Sequence, residues 1–198
     1  MAKKKISEIL RKSIHLSSLI IPFSYKYFLT DKKLMILIIG ILSLITIIID
    51  LRRMQDRNFK KVFYRIFGIV LRKHEIKNNF TGASYLLVSS IISIAFFPKD
   101  IAFLALSFLA IGDTFAAIVG ISLGKREIPK TKKSIEGSLA CFVSTFIFAI
   151  CFQAHIIVAF LGAVTTMLIE LSNLPVDDNV RIPLASGIIM TLVKLFIF

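Results

Sequence analysis

The chain has no tryptophan, two cysteines and five prolines in 198 residues, and charge is thin as well. Only 19% of residues are Asp, Glu, Lys or Arg, against about 25% in an ordinary soluble domain. Two cysteines exclude a disulfide scaffold. Cys141 and Cys151 sit in one apolar block and are expected as buried packing residues, not as a bridge or a metal pair. A 56% hydrophobic content and a mean hydropathy of +0.81 exclude a disordered chain and a water-soluble globule. Acid is the scarcest charge: 12 Asp+Glu face 25 Lys+Arg, a net +13. In a soluble protein that balance would suggest nucleic acid. In a chain this apolar it reads as positive-inside topology and attraction to anionic lipid or phosphate, with no nucleic-acid partner.

What is present is a series of charge-free blocks. Leu34–Ile49 carries no ionisable residue, Asn78–Pro98 no charged one, and Ile101–Gly124 one acid, Asp113. Gly137–Leu171 is too long for one ordinary span and is interrupted only at Gln153-Ala154-His155, where we divide it. The spacing predicts helices near 13–29, 34–50, 82–98, 101–122, 137–153, 155–171 and 182–198. Residues 52–77 are not a span: Phe59, Val62, Phe63, Ile66, Phe67 and Val70 recur at helical spacing between Lys60, Lys61 and Arg65, which predicts an amphipathic helix in the interface. The fold class is therefore all-α, a polytopic membrane bundle of about seven transmembrane helices plus one cytoplasmic interfacial helix. It forms a single integral-membrane domain over residues 1–198. With a cytoplasmic N-terminus, 20 of the Lys and Arg residues fall on the cytoplasmic side, leaving Lys26, Lys32, Lys33, Lys99 and Lys194 elsewhere. The Met-Ala-Lys-Lys-Lys start is not expected to be a signal peptide, because no small-residue cleavage site follows a short apolar core.

Ionisable groups inside such helices are costly and mark function. His15, Asp50, Asp113, Glu136 and Glu170 remain, with Asp177 and Asp178 just beyond a span. All but Asp113 fall at the cytoplasmic ends, which describes a cleft rather than a path through the bilayer. The densest stretch is 112–138. Asp113, Ala117 and Gly120 share a helical face, and small residues at 116, 117, 120 and 124 let a backbone or a ligand approach. A basic loop follows with Lys125, Arg126, Lys130, Lys132 and Lys133, then Ser134, Gly137 and Ser138 at the next helix start. A helix N-terminus beside lysines suits an anion, and a carboxylate beside phosphates calls for Mg²⁺. The combination suggests a nucleoside triphosphate with Mg²⁺. Plain helix packing and a positive-inside loop are the alternatives. No G-x-x-x-x-G-K-[ST] loop is present.

The pattern Gly112-Asp113-x-x-Ala116-Ala117-x-x-Gly120, then Gly124-Lys125, then Lys133-Ser134-x-Glu136-Gly137-Ser138 resembles the CTP-dependent lipid kinase family, which includes dolichol, phytol and CTP-dependent diacylglycerol kinases and is distantly related to phosphatidate cytidylyltransferases. Three more segments resemble it in order: Arg11-Lys12-Ser13-Ile14-His15, His74-Glu75 with Thr81-Gly82-Ala83-Ser84-Tyr85, and Glu170 followed by Asp177-Asp178-Asn179-x-x-Ile182-Pro183.

The resemblance implies transfer of the CTP γ-phosphate to a membrane lipid alcohol with Mg²⁺. On that reading Asp113 holds the metal, with Glu136 as second ligand or as the group orienting the lipid hydroxyl. Lys125, Lys132 and Lys133 neutralise phosphate charge. Gly112, Thr114, Ala117, Gly120, Gly124, Ser134, Gly137 and Ser138 line the nucleotide segment. Arg11 and His15 stand at the mouth, His15 contacting phosphate or accepting a proton, or simply hydrogen-bonded at a helix end. Glu170, Asp177, Asp178 and Asn179 close the site from the other half; a helix cap is the alternative for the last three. A CDP-lipid synthase is the nearest rival. The long basic and acidic signature of phosphatidate cytidylyltransferases is missing, which favours phosphoryl transfer. A small transporter would need polar groups across the whole membrane depth, and a non-catalytic scaffold has no use for Asp113.

Overall fold

The computed structural model describes residues 2–71, 73–76, 79–129, 131, 133–172 and 174–197, with side chains for all of these except 2–6, 73 and 74. Helices follow one another along the chain: α1 (Ala2–Ser17), α2 (Ile20–Phe23) running into a π turn (Ser24–Phe28), α3 (Lys32–Gln55), α4 (Arg57–Phe67), α5 (Lys73–Ile76), α6 (Gly82–Phe96), α7 (Lys99–Leu123), α8 (Ile135–Cys151), α9 (Ile156–Leu171) and α10 (Asp178–Ile197). Among the described residues there is no strand, only an isolated bridge between Glu127 and Ser134. The chain is an all-α membrane bundle. Three helices, α3, α7 and α10, are long and apolar enough to cross a bilayer, and α6, α8 and α9 are shorter apolar helices.

α7 is the axis. Ile101 to Thr114 are buried without interruption, and α1, α2, α6, α8, α9 and α10 all touch it. Small residues explain how six elements fit round one: Ala102, Ala105, Ser107, Ala110 and Gly112 leave space on every side for neighbouring backbones. Phe103 and Phe108 fill the layer they leave, against Ala149, Val158, Ala159 and Met190. α3 is the opposite case. Its Leu37, Ile41, Leu44 and Ile48 face outward, while Met35, Ile39 and Ser43 face α6 and its neighbours. Branched, bulky residues on the outer face suit acyl chains.

The helices predicted from residue 34 on are found with shifted ends, but the one expected over 13–29 is divided among the end of α1, α2 and the π turn. The first was expected from residue 13, at the edge of its charge-free block, but α1 starts at Ala2. Lys and Arg are good helix formers, so the charges at 11 and 12 do not stop it. α3 begins after Asp31, whose carboxylate caps it by accepting from Leu34 N at 2.7 Å, and runs on past Asp50 to Gln55. Within 52–77, the amphipathic segment is α4, capped by Asp56, with no buried residue. The division at 153–155 is present. Gln153 N donates to Ile150 O and Ala154 N to Ala149 O, both at 3.0 Å, with Gln153 left-handed at φ 61. This is a Schellman stop in which Gln occupies the usual glycine position, at a cost of about 1 kcal/mol. Cys141 is buried as expected; Cys151 is exposed on the bundle surface, because α8 turns that face outward at its last residue.

Candidate active site

Asp113 lies about 21 Å along α7 from its start and about 15 Å from its end, by helical rise. Its carboxylate is 6% exposed, so a partner charge is required. α1 supplies it: Lys12 Nζ lies 2.5 Å from Asp113 Oδ2 and His15 Nδ1 lies 3.5 Å from the same oxygen. Residues three apart share a helix face, which is why Lys12 and His15 arrive together. Arg11 is on the neighbouring face and pairs with Glu8 instead. Lys12 is thus a site residue that sequence reasoning passed over in favour of Arg11, and its i, i+3 relation to His15 was the available signal. Thr114, next along α7, points its hydroxyl at Lys12 O at 3.5 Å.

A chain of hydrogen bonds fixes His15. Asp177 Oδ1 accepts from Asn179 N (3.0 Å) and from Asn179 Nδ2 (2.6 Å), so Asp177 both caps α10 and turns the amide. Asn179 Oδ1 then faces His15 Nε2 at 2.8 Å. An amide oxygen only accepts, so the ring proton sits on Nε2 and Nδ1 is turned to Asp113. Asn179 is itself anchored through Pro183. Proline has no N–H to give to the carbonyl four residues back, and that carbonyl, Asn179 O, accepts from Ser89 Oγ of α6 at 2.6 Å instead.

Glu170, in the last turn of α9, is the second buried carboxylate. Lys133 Nζ lies 2.8 Å from its Oε1 and also donates to Glu170 O, while Oε2 is buried with no hydrogen-bond partner among the described residues. Asp113, Asp178 and Lys133 are all within electrostatic range of it. Asp178 pairs with Arg181, whose other nitrogen donates to Ser172 Oγ at 2.6 Å.

The rest of the 112–138 segment forms a separate level near the end of α7. The close approach allowed by its small residues is made by α8: a Cβ on Gly137 would lie 2.6 Å from Ala116 O and 3.2 Å from Gly120 Cα. Gly112 is held against Cys141, Thr145 and Thr166, and Gly124 against Ser134, while Ala117 is partly exposed. Ser134 caps α8, its Oγ accepting from Gly137 N at 3.1 Å, and Ser138 Oγ donates to Ser134 O at 3.1 Å. Glu136 Oε2 accepts from Lys125 N (3.2 Å) and Arg126 N (3.4 Å), tying the basic loop to the helix start. Backbone N–H groups, its own first and then those of Arg126 and Lys125, hold the Glu136 carboxyl below the usual carboxylate range. Lys125 is exposed; Lys130 and Lys132 lie outside the described residues. Lys133 reaches Glu170, whereas the Glu136 carboxylate turns to the Lys125 and Arg126 amides beyond the end of α7.

Among the described residues no three acidic, His or Cys side chains form a metal cage. Mg²⁺ needs none: it is held by one or two carboxylates together with substrate phosphates. Asp113 with Glu170, one of whose oxygens has no partner, fits that demand. Glu136, the second ligand expected from the sequence, instead has its Oε2 accepting from the loop amides of Lys125 and Arg126.

Beside this site lies a closed polar cluster that sequence reasoning did not assign. Asp50 Oδ1 meets Arg53 (Nη2 3.0 Å, Nε 3.2 Å), and its Oδ2 accepts from Thr81 N (2.8 Å), Thr81 Oγ1 (2.9 Å) and Ser84 Oγ (2.8 Å). Arg53 also donates to Glu75 O and Asn79 O, both at 2.6 Å. Glu75 Oε1 accepts from Gly82 N at 2.8 Å, and a Cβ on Gly82 would fall 2.9 Å from Asn179 Nδ2. The H-E and T-G-A-S segments therefore build the wall behind Asn179.

The chain resembles known proteins over most of its length. An uncharacterised protein of Rickettsia prowazekii is 28% identical over 186 residues, covering 88% of this chain and 89% of that one. CTP-dependent diacylglycerol kinase 1 of Saccharomyces cerevisiae is 29% identical over 180 residues, 76% of this chain and 61% of the kinase. Probable phytol kinase 2 of Glycine max is 26% identical over 144 residues, 63% of this chain and 49% of the kinase. The chain thus spans about half to three-fifths of the length of these two kinases. No protein-family model matches it, and no solved structure does. Kinases of two different lipid alcohols are thus among its relatives, and the chain is similar to the CTP-dependent lipid kinases.

Proposed function

We propose that the protein transfers the γ-phosphate of CTP to the hydroxyl of a membrane lipid alcohol at the cytoplasmic face, in the cleft between α1, α7, α9 and the start of α10. The observation that carries this is Asp113, a carboxylate at 6% exposure in the axial helix, met by an ammonium and an imidazole from α1. Phosphoryl transfer is mainly positioning and charge neutralisation, and this arrangement offers both. Mg²⁺ would be held by Asp113 and Glu170, where it offsets the charge of the polyphosphate. Lys12 and Lys133, which balance those two acids, are placed to turn to phosphate oxygens. His15, with Nε2 committed to Asn179, presents Nδ1 to take the proton of the lipid hydroxyl. That oxygen bonds to the γ-phosphorus, the bond to the β-phosphate oxygen breaks, and CDP leaves. Lys125 and Arg126, held by Glu136, form the outer basic rim through which the nucleotide enters. The 20 basic residues on this side of the bundle support its cytoplasmic placement.

The test is a detergent assay with CTP labelled at the γ-position and diacylglycerol, phytol and polyprenol offered in turn. The account predicts label on one class of lipid and release of CDP. Transfer of the cytidylyl group with labelled pyrophosphate would replace it with CDP-lipid synthesis.

A further inference from the structure

At the end of the bundle away from Asp113, a cavity of about 440 Å³ opens between the π turn, the start of α7, the α8–α9 turn and the end of α10. Its size is within the range of about 300–1,000 Å³ usual for small-molecule sites. None of the residues assigned above takes part in it. Its depth is that of the helix ends, where lipid phosphates lie.

Three observations say what it would take. The first is charge. Lys194 Nζ and Asp100 Oδ2 pair at 2.5 Å, and the same carboxylate also attracts Lys26, so two ammonium groups share one acid. Lys26 is left as the excess charge: its ammonium lies 4.1 Å from the Phe103 ring centre and 4.9 Å from that of Phe152, and no described oxygen within hydrogen-bond distance accepts from it. An ammonium carries three donors, and ring faces do not satisfy them as an anion would. The second is Gln153. It holds the left-handed position of the α8 stop, where glycine would be free of strain, and it lines the cavity. A strained residue retained at a cavity wall is a pointer to use. The third is the apolar remainder of the wall, Phe103, Phe152 and Val158, beside an α10 end that exposes Leu195 and Phe196.

We propose that this cavity binds the phosphate headgroup of an anionic lipid in the leaflet opposite the candidate active site. Lys26 supplies the charge, the Gln153 amide the neutral donors, and the aromatic wall packs the adjoining chain.

The test is native mass spectrometry of the full chain from detergent, titrated with dihexanoyl phosphatidylglycerol, dihexanoyl phosphatidylcholine and inorganic phosphate. We expect one saturable phosphatidylglycerol adduct. Its affinity should fall about tenfold in Lys26→Gln, the factor for one lost hydrogen bond to a charged group, recover in Lys26→Arg, and stay within about twofold of the parent in Asp113→Asn. Gln153→Gly relieves the backbone and so keeps the fold, and it should also weaken the adduct. Equal binding of phosphatidylcholine, or phosphatidylglycerol binding indifferent to both Lys26→Gln and Gln153→Gly, would overturn the proposal. Binding of inorganic phosphate without phosphatidylglycerol would make it a free-anion site and overturn the lipid assignment.

Discussion

Asp50 and Glu170 are two acids buried at the same end of one bundle, and the protein treats them in opposite ways. Asp50 is surrounded by five donors from Arg53, Thr81 and Ser84, and both oxygens are used. Glu170 has one oxygen on Lys133, and its other oxygen is buried with no partner among the described residues. A buried acid with every lone pair answered is a fastening. One with an oxygen unanswered among the described residues, in electrostatic range of Asp113, is on our proposal the group that takes a positive ion. The two are contiguous: the fastening sets Thr81 and Gly82, Gly82 lies against Asn179, and Asn179 orients His15 next to Asp113.

The comparison is broken most directly by Arg53→Ala. It strands a carboxylate that is 1% exposed, and the expected loss is about 3–5 kcal/mol of stability. Thermal unfolding in detergent should show a large fall in midpoint, with activity following the folded fraction. Glu170→Gln should do the reverse: turnover falls at least about tenfold, while the midpoint moves by no more than about 2 °C, since Lys133 is partly exposed and can turn to water. A large unfolding shift there would make Glu170 a second fastening.

Two smaller effects sharpen the contrast between the levels of the site. Lys133→Ala should raise the CTP requirement about tenfold and leave the lipid requirement within about twofold. An unchanged CTP dependence would leave Lys133 as a topology residue. Glu136→Gln should raise the CTP requirement only about two- to threefold, because the exposed carboxylate orders the loop through backbone N–H groups. Its carboxyl is held below the usual range, so its contribution is constant near neutral pH and fades only as pH falls through that lowered value. Loss of CTP dependence above pH 6 in the parent would contradict this assignment.

Much of this was legible in the sequence, and the limits are physical. Charge-free blocks located the long helices, and Gln153-Ala154-His155 located the α8–α9 turn, because polar residues interrupt an apolar run wherever backbone must leave the helix. Asp113 stood out since nothing in an apolar span requires an acid. What one-dimensional reading lacked was facing. Arg11 and Lys12 are chemically alike and adjacent, and only the direction of α1 decides that Lys12 reaches Asp113 while Arg11 pairs with Glu8. Glu136 was expected as the second ligand beside Asp113, and Glu170 only as a residue closing the site from the other half. The basic loop takes the Glu136 carboxylate through the Lys125 and Arg126 amides, and the end of α9 brings Glu170 into electrostatic range of Asp113. The Asp50–Arg53 fastening was hidden because Arg53 is three residues from Asp50 while the other donors, Thr81 and Ser84, lie about thirty residues further along the chain.

The most direct measurement is γ-phosphate transfer from CTP by Asp113→Asn, compared with the parent at equal amounts of folded, monodisperse protein. The account predicts a fall of about a hundredfold or more, the scale of losing a principal electrostatic group in a site of this kind. Turnover equal to that of the parent would remove Asp113 from the chemistry and with it the reading of the cleft.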